Sequence, residues 1–270
     1  MDQRKMMKLD CPLGNASLDC FLIEPGVSRG SVVICPGGGY DFCSLREADP
    51  VAHAFNRAGY HAFVLWYDCE EPPLGLEPAR QLAWAVTELR RNADQWGVNP
   101  RKIAVCGFSA GAHLAGTLGA LWQNDDLFTG SKAEERRPDA LILSYPVVTA
   151  GKYANRQSFV NLAGADAAAQ QNFSLETMVT EQMPPTFIWH TMDDDEVPVQ
   201  NALLLSRALM AVNVPQELHL FQNGVHGLSL ATADTSDLAN GRVPDGHVAK
   251  WFTLASEWLT AVFSSRKQAR

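Results

Sequence analysis

The sequence has little of what marks a membrane, secreted or nucleic-acid-binding protein. No apolar run in its 270 residues approaches the roughly 20 that a membrane-spanning helix needs. The N-terminus carries Arg4, Lys5 and Lys8 but lacks the apolar core of a signal peptide. No basic run is long and the net charge is -8, which argues against nucleic acid and anionic membranes as partners. We therefore expect a cytoplasmic protein that binds neither.

Cysteine is sparse and shows no metal-binding pattern. The six cysteines all lie in the first 106 residues, without a CxxC pair or a companion histidine at metal spacing. We expect free thiols and no metal. The hydrophobic fraction of 46% and the charged fraction of 19% are ordinary for a protein with a sizeable core. At this length we expect a single domain over 1–270, and a homo-oligomer is compatible with the sequence.

The most informative stretch is 103–113, whose pattern predicts a buried strand, a sharp turn and a helix. Its centre, Gly107-x-Ser109-x-Gly111, has the form of a nucleophile elbow. A serine at the tip of such a turn has a strained backbone, and glycines two residues away relieve the crowding around it. The start of the helix also offers free backbone N–H groups to a developing negative charge. This stretch predicts acyl transfer with Ser109 as the nucleophile.

Strand-like and helix-like segments alternate along the chain, which predicts a mostly parallel, doubly wound sheet flanked by helices. From 147 to 183 the periodicity is lost, and we expect a short insert that forms part of the cleft wall in place of a large lid. The predicted strands are 19–24, 31–35, 61–67, 103–106, 140–144, 186–190 and 217–221. The predicted helices include 79–96, 110–122, 199–212 and 247–263.

A glycine-rich loop, 36–40, follows a strand buried on both faces, and its bare N–H groups can donate to an anion. A serine nucleophile also needs a base and an acid, which on such sheets follow it in the order acid, then histidine. Four adjacent acids at 193–196 follow a predicted strand, and the residues alone do not choose among them. A calcium-binding loop would look similar, but no glycine turn or second ligand group accompanies it.

Three histidines follow these acids, namely His219, His226 and His247. His219 falls on an alternating strand and His247 starts the last predicted helix. His226 sits in a glycine-flanked loop directly after the last predicted strand, from which its imidazole can reach across the strand ends. It is the best candidate for the base.

Together these motifs make the chain similar to the α/β-hydrolase superfamily, and within it to the small esterase/lipase group near bacterial acetyl esterases and acetylxylan or feruloyl esterase-like proteins. The residues that carry the resemblance are Pro36-Gly37-Gly38-Gly39-Tyr40, Arg46-Glu47-Ala48, Gly107-Phe108-Ser109-Ala110-Gly111 with His113-Leu114-Ala115, His190-Thr191-x-x-Asp194-x-x-Val197-Pro198, and His226-Gly227.

The resemblance implies the α/β-hydrolase fold and assigns further residues. The acid three residues before Val197 becomes the third catalytic residue, which selects Asp194, with Asp193 as second choice. The oxyanion hole would use the N–H groups of Gly38, Gly39 and Ala110. Two departures warn against copying the substrates of the hormone-sensitive-lipase branch: Pro36 precedes the glycines where that branch has histidine, and Thr191 stands where many relatives have glycine.

We therefore expect a serine carboxylic-ester hydrolase that needs no cofactor and acts on short acyl esters, with acetyl favoured. Acetylated sugars or xylo-oligosaccharides are the substrates that the resemblance implies. Tyr40, Trp66 and Tyr67 lie near predicted strand ends and could stack on a sugar ring, although such aromatics are more often plain core. An amide hydrolase (peptidase or formamidase) on the same fold, or a non-catalytic binding protein, would share most of these features.

Overall fold

One eight-stranded sheet organises the part of the chain that the computed structural model describes, residues 6–24 and 27–265. The strands are β1 (Met6–Asp10), β2 (Ser17–Phe21), β3 (Arg29–Cys35), β4 (His61–Trp66), β5 (Val98–Phe108), β6 (Ala140–Ser144), β7 (Thr186–Thr191) and β8 (Gln216–Phe221). Their order is β1-β2-β4-β3-β5-β6-β7-β8. β2 pairs antiparallel with both of its neighbours, β1 and β4. All other neighbouring strands in this order are parallel. The predicted mostly parallel sheet is confirmed.

Helices cover both faces of the sheet. Those in the described residues are α1 (Asp49–Arg57), α2 (Glu77–Arg91), α3 (Ala93–Trp96), α4 (Ala110–Leu121), α5 (Ala133–Arg136), α6 (Arg156–Ala163), α7 (Ala167–Gln171), α8 (Leu175–Met178), α9 (Gln200–Ala211) and α10 (Lys250–Ser265). Because successive side chains of a strand point to opposite faces of the sheet, β3 contributes residues to two separate cores. Val33 and Cys35 belong to the same core as residues of α2, α4 and α9, while Val32 and Ile34 belong to the core that includes residues of α1 and α10.

Several boundaries differ from the sequence prediction for local reasons. The predicted helix 79–96 is interrupted at Asn92, whose side chain bonds back to the Glu88 carbonyl. The last helix starts at Lys250 instead of His247, and it is preceded by a turn over 246–249 in which the His247 and Val248 N–H groups donate to Asp245. The edge strand β1 was not predicted. The first five residues, which entered the signal-peptide argument, lie outside the described part.

The insert 147–183 contains three short helices, α6, α7 and α8. α8 packs against α4, with Leu175 directly over Gly116. In the described residues no helix is long and apolar enough to cross a membrane. Since β3, β5, β7 and β8 are parallel, their carboxyl ends meet along one edge of the sheet, where loops from distant parts of the chain converge.

Candidate active site

The turn between β5 and α4 holds Ser109 in a left-handed conformation, with φ at 52°. Glycine is required on both sides of it. A Cβ on Gly107 would lie 2.2 Å from the carbonyl oxygen of Gly111, and a Cβ on Gly111 would lie 2.1 Å from the carbonyl oxygen of Cys35. Both distances are far inside van der Waals contact, so the Gly-x-Ser-x-Gly pattern follows from the tightness of this turn.

Ser109, His226 and Asp194 form a continuous hydrogen-bonded chain. The Oγ atom of Ser109 lies 2.8 Å from Nε2 of His226, and Nδ1 of His226 lies 2.7 Å from Oδ2 of Asp194. With the proton on Nδ1 donated to Asp194, Nε2 is left to accept from the serine hydroxyl. The three predicted residues thus come together although they lie on three separate loops.

Asp194 is held by more than the imidazole. Its Oδ1 accepts from the N–H groups of Glu196 and Val197, at 3.1 and 2.8 Å, and His190 lies 3.2 Å from its Oδ2. Burial raises the pKa of Asp194, but the hydrogen bonds from His190 and His226 outweigh burial and hold this pKa below the ordinary value. Asp193, by contrast, is exposed to solvent.

His226 lies in a loop that two arginines fix. Arg242 donates from Nε to the carbonyl oxygen of His226, and Arg46 donates from Nη2 to that of Gly227, both at 2.9 Å. Burial lowers the pKa of His226, yet the hydrogen bond and charge of Asp194 reverse this, so the net shift is upward. The imidazole is therefore a stronger base than a free histidine.

Among the described residues, the N–H groups of Gly38, Gly39 and Ala110 have no acceptor, and Gly38 and Gly39 line the cleft with Ser109. Two residues of the glycine loop have left-handed backbone conformations, with φ at 131° for Gly38 and 65° for Gly39. A Cβ on Gly38 would lie 2.0 Å from the carbonyl oxygen of Phe42, so only glycine fits there. Unpaired N–H groups at this point can donate to an oxyanion.

Three side chains form hydrogen bonds to the backbone of the glycine loop. Tyr67 donates its hydroxyl to the Pro36 carbonyl at 2.7 Å, and a Glu47 carboxylate oxygen accepts from the Gly37 N–H at 2.8 Å. From α6, Asn161 donates to the Gly39 carbonyl at 2.9 Å. These bonds fix the peptide planes on either side of the free N–H groups.

A cleft of about 500 Å³ opens at Ser109 and His226. Residues at the start of α6 and from the segment 237–242 both line it. Most of the side chains that line it are polar, among them Asp41, Asn155, Gln157, Ser158, Asp237 and Asn240.

The predicted stacking role of Tyr40 and Tyr67 is wrong. Both are buried, and their hydroxyls are used internally, that of Tyr40 at 2.8 Å from Nδ1 of His113. Trp66 does not line the cleft either, since its indole N–H donates to Asp19 at the other side of β4. Among the described residues, Phe42 is the aromatic side chain that lines the cleft, and it is 58% exposed.

Sequence reasoning gave no role to Glu47, Tyr145 or Arg242, although all three contact the site. Glu47 belongs to a motif that carried the family resemblance, which was the available signal. Tyr145 directly follows the end of β6, and its left-handed φ of 37° could not be inferred from sequence. Arg242 reaches back to His226 from 16 residues away, across a turn with no sequence pattern.

The six cysteines, all within the described part, are free thiols. In residues 6–24 and 27–265 no group of three or more His, Cys, Asp and Glu side chains is arranged to hold a metal ion.

A mostly parallel sheet with a serine elbow after a central strand defines an α/β-hydrolase, and comparison with known proteins narrows this class. Residues 29–209 match the BD-FAE family model, so the chain belongs to the BD-FAE family. The acetyl ester-xyloside bifunctional hydrolase from Caldicellulosiruptor lactoaceticus is 31% identical, with a TM-score of 0.83 over 97% of both chains. The carboxylesterase Cest-2923 from Lactobacillus plantarum is 26% identical, with a TM-score of 0.82 over 96% of this chain and 97% of that one.

Similar curated proteins are longer. Endo-1,4-beta-xylanase B of Butyrivibrio fibrisolvens is 36% identical over 221 residues, which are 80% of this chain and 35% of that protein. The acetylxylan esterase of Xylanibacter ruminicola is 27% identical over 81% of this chain and 45% of that protein. The chain thus spans between a third and a half of these relatives. The predicted resemblance to an esterase-like α/β-hydrolase is confirmed.

Proposed function

We propose that the protein is a serine carboxylic-ester hydrolase. The observation that carries this proposal is the hydrogen-bonded chain from Asp194 through His226 to Ser109, at 2.7 and 2.8 Å, opening onto the cleft. A non-catalytic binding protein would not need this alignment. The names of the similar proteins, an acetylxylan esterase and a carboxylesterase among them, support the same chemistry.

In the first half of the proposed reaction, the Ser109 hydroxyl attacks the ester carbonyl while His226 takes its proton at Nε2. Asp194 holds the imidazole in the required tautomer and stabilises its positive charge. The oxyanion that forms lies against the N–H groups of Gly38, Gly39 and Ala110. A single donor of this kind stabilises a transition state by about 3 kcal/mol.

His226 then returns the proton to the leaving alcohol, and the carbon–oxygen bond of the ester breaks to leave an acyl-enzyme on Ser109. In the second half, His226 removes a proton from water, and the hydroxide attacks the acyl carbonyl. The tetrahedral intermediate collapses, and the proton returns to Ser109. The products are the carboxylic acid and the free enzyme, and neither half of the reaction requires a cofactor.

We propose short acyl groups, acetyl above all, on a polar alcohol such as an acetylated sugar or xylo-oligosaccharide. The polar lining supports this, because hydroxyl groups of a sugar need hydrogen-bond partners when they leave water. Asn161 donates to the Gly39 carbonyl and so holds α6 against the glycine loop beside the nucleophile. Phe42 takes the place of the predicted aromatics as a surface on which a sugar ring can stack.

The test is hydrolysis of a chromogenic series from acetate to octanoate by wild type and Ser109→Ala, with the matching amide beside the acetate ester. We expect acetate to be the fastest substrate and Ser109→Ala to lose at least about 10⁴-fold in kcat. Release of acetate from acetylated xylo-oligosaccharides would then test the substrate class. Faster cleavage of the amide would favour the amidase alternative, and no turnover by folded wild type would overturn the proposal.

A further inference from the structure

A buried carboxylate beside Ser109 has no part in the reaction above. Glu47 is only 3% exposed and ends the 3₁₀ turn Leu45–Glu47, just after the glycine loop. In the described residues it forms no ion pair, and both of its oxygens accept hydrogen bonds from neutral donors. Burying a charge without a countercharge is costly, so this position calls for an explanation.

One oxygen of Glu47 acts on the oxyanion side of the site. Oε2 accepts from the Gly37 N–H at 2.8 Å, and Tyr67 holds the carbonyl of the same peptide group. A Cβ on Gly37 would lie 2.8 Å from Oε2 and 3.0 Å from Cβ of Ser109, so Gly37 packs against both the carboxylate and the nucleophile. Glu47 thus fixes the Pro36–Gly37 peptide group. The next peptide group, which carries the Gly38 N–H, is held through its Gly37 carbonyl by the Ser44 N–H at 2.9 Å.

The other oxygen acts on the side of the base. Tyr145 donates its hydroxyl to Oε1 at 2.5 Å, and the same hydroxyl accepts from the N–H of Ser229 at 3.0 Å. The Tyr145 ring packs edge-on against His226, with ring centroids 5.1 Å apart. Ser229 in turn donates from Oγ to the carbonyl of Arg46. Glu47 is thereby linked to the loop that carries His226.

We propose that Glu47 is a positioning residue that fixes the oxyanion loop and the His226 loop relative to each other. The role rests on the proposed hydrolase function. Glu47 forms no hydrogen bond to Ser109, His226 or Asp194, and it acts through Gly37 on one side and Tyr145 on the other. Its negative charge also favours the protonated imidazole that forms during catalysis.

Other charged residues near His226 also act on the pKa of its imidazole. Asp194 bonds to Nδ1, and Glu196 adds a negative charge across the cleft. Arg242 and Arg46 contact the carbonyl groups of the loop, with opposite electrostatic sign. Removal of the Glu47 charge should therefore lower the pKa of His226 without abolishing the effect of Asp194.

The test compares Glu47→Gln, Glu47→Ala and Tyr145→Phe with Asn56→Ala, a control that removes two buried hydrogen bonds far from the cleft. On a chromogenic acetate ester we expect Glu47→Ala to lower kcat by about 100-fold, while KM changes by no more than about 3-fold. Glu47→Gln keeps an acceptor for Gly37 and should recover at least about 10-fold of that loss. Tyr145→Phe combined with Glu47→Ala should cost less than the two losses multiplied, because both changes break one network.

NMR titration of the His226 imidazole provides a readout that does not need turnover. We expect its pKa to fall in Glu47→Gln and to stay unchanged in Asn56→Ala. Wild type without esterase activity would overturn the proposed function, and the titration would still report on the link between Glu47 and His226. An active wild type with unchanged kcat in Glu47→Ala would overturn the positioning role alone, and an unchanged His226 pKa in Glu47→Gln would overturn the effect of the Glu47 charge on the imidazole.

Discussion

At the scale of single residues, the choice between adjacent carboxylates is the sharpest question in the site. Asp194 is buried and bonded to His226, whereas Asp193 next to it is exposed. We expect Asp194→Asn to lower kcat by about 10⁴-fold, because an amide at this point favours the wrong imidazole tautomer. Asp193→Asn should keep kcat near that of wild type. The measurement is kcat on a chromogenic acetate ester for both variants.

Circular dichroism on both variants would separate a catalytic loss from unfolding. Loss of turnover in Asp193→Asn with full activity in Asp194→Asn would show that the acid had been assigned one residue too far along the chain.

Single residues also show where sequence reasoning succeeds and where it fails. His226 could be selected because chain order and a glycine-flanked loop leave few alternatives, although it lies 117 residues from Ser109. Tyr67 is a sequence candidate for stacking on the substrate because it lies at the end of a predicted strand. Sequence cannot tell whether such a side chain faces the cleft or the back of the loop. In the structure the Tyr67 side chain points to the loop, and its hydroxyl donates to the Pro36 carbonyl.

At the scale of elements, helix α4 is packed closely against its surroundings, and its glycines differ in what they touch. A Cβ on Gly111 would meet backbone, the Cys35 carbonyl oxygen at 2.1 Å. A Cβ on Gly119 would meet only the end of a side chain, Cδ1 of Leu141 at 2.5 Å, which can rotate away. Gly246 lies in open space and has no such neighbour within 4 Å.

We therefore predict a ranking of three glycine-to-alanine variants in urea unfolding. Gly111→Ala should lose 3 kcal/mol or more, at about the upper limit for overpacking, or fail to fold. Gly119→Ala should lose about 1 kcal/mol. Gly246→Ala should unfold like wild type. Equal losses in Gly111→Ala and Gly119→Ala would contradict the argument that backbone contacts make the elbow intolerant.

Elements buried on both faces could be predicted from sequence, and peripheral ones could not. The strand β6 was placed with correct bounds, since its five residues are all buried and apolar or small. In the edge strand β1, residues 7–10 alternate between half-buried and exposed, and so short a segment gives a weaker signal than a fully buried strand. The role of α6 as a wall also escaped prediction in detail, because it depends on the contact of Asn161 with Gly39 across 122 residues.

At the scale of the whole molecule, buried histidines couple folding to pH. Burial lowers the pKa of His113 from the ordinary 6.5 to about 4, and burial also lowers that of His61. A folded-state pKa below the unfolded value means that the neutral form stabilises the fold fully above about pH 6.5. This stabilisation is lost as the pH falls toward 4. His226 has the opposite sign, since its raised pKa contributes stability that is lost as the pH rises.

We expect the free energy of unfolding to decrease between about pH 7 and about pH 4.5, with His113 accounting for about 3 kcal/mol at most. His113→Gln can still accept from Tyr40 and donate to Phe173, but it cannot gain a proton. Its free energy of unfolding should therefore depend less steeply on pH over this range, as urea titrations at several pH values would measure. The exposed His247→Gln is the matched control and should keep the wild-type slope. A slope in His113→Gln as steep as that of wild type would assign the acid sensitivity to other groups, with His61 the first to examine.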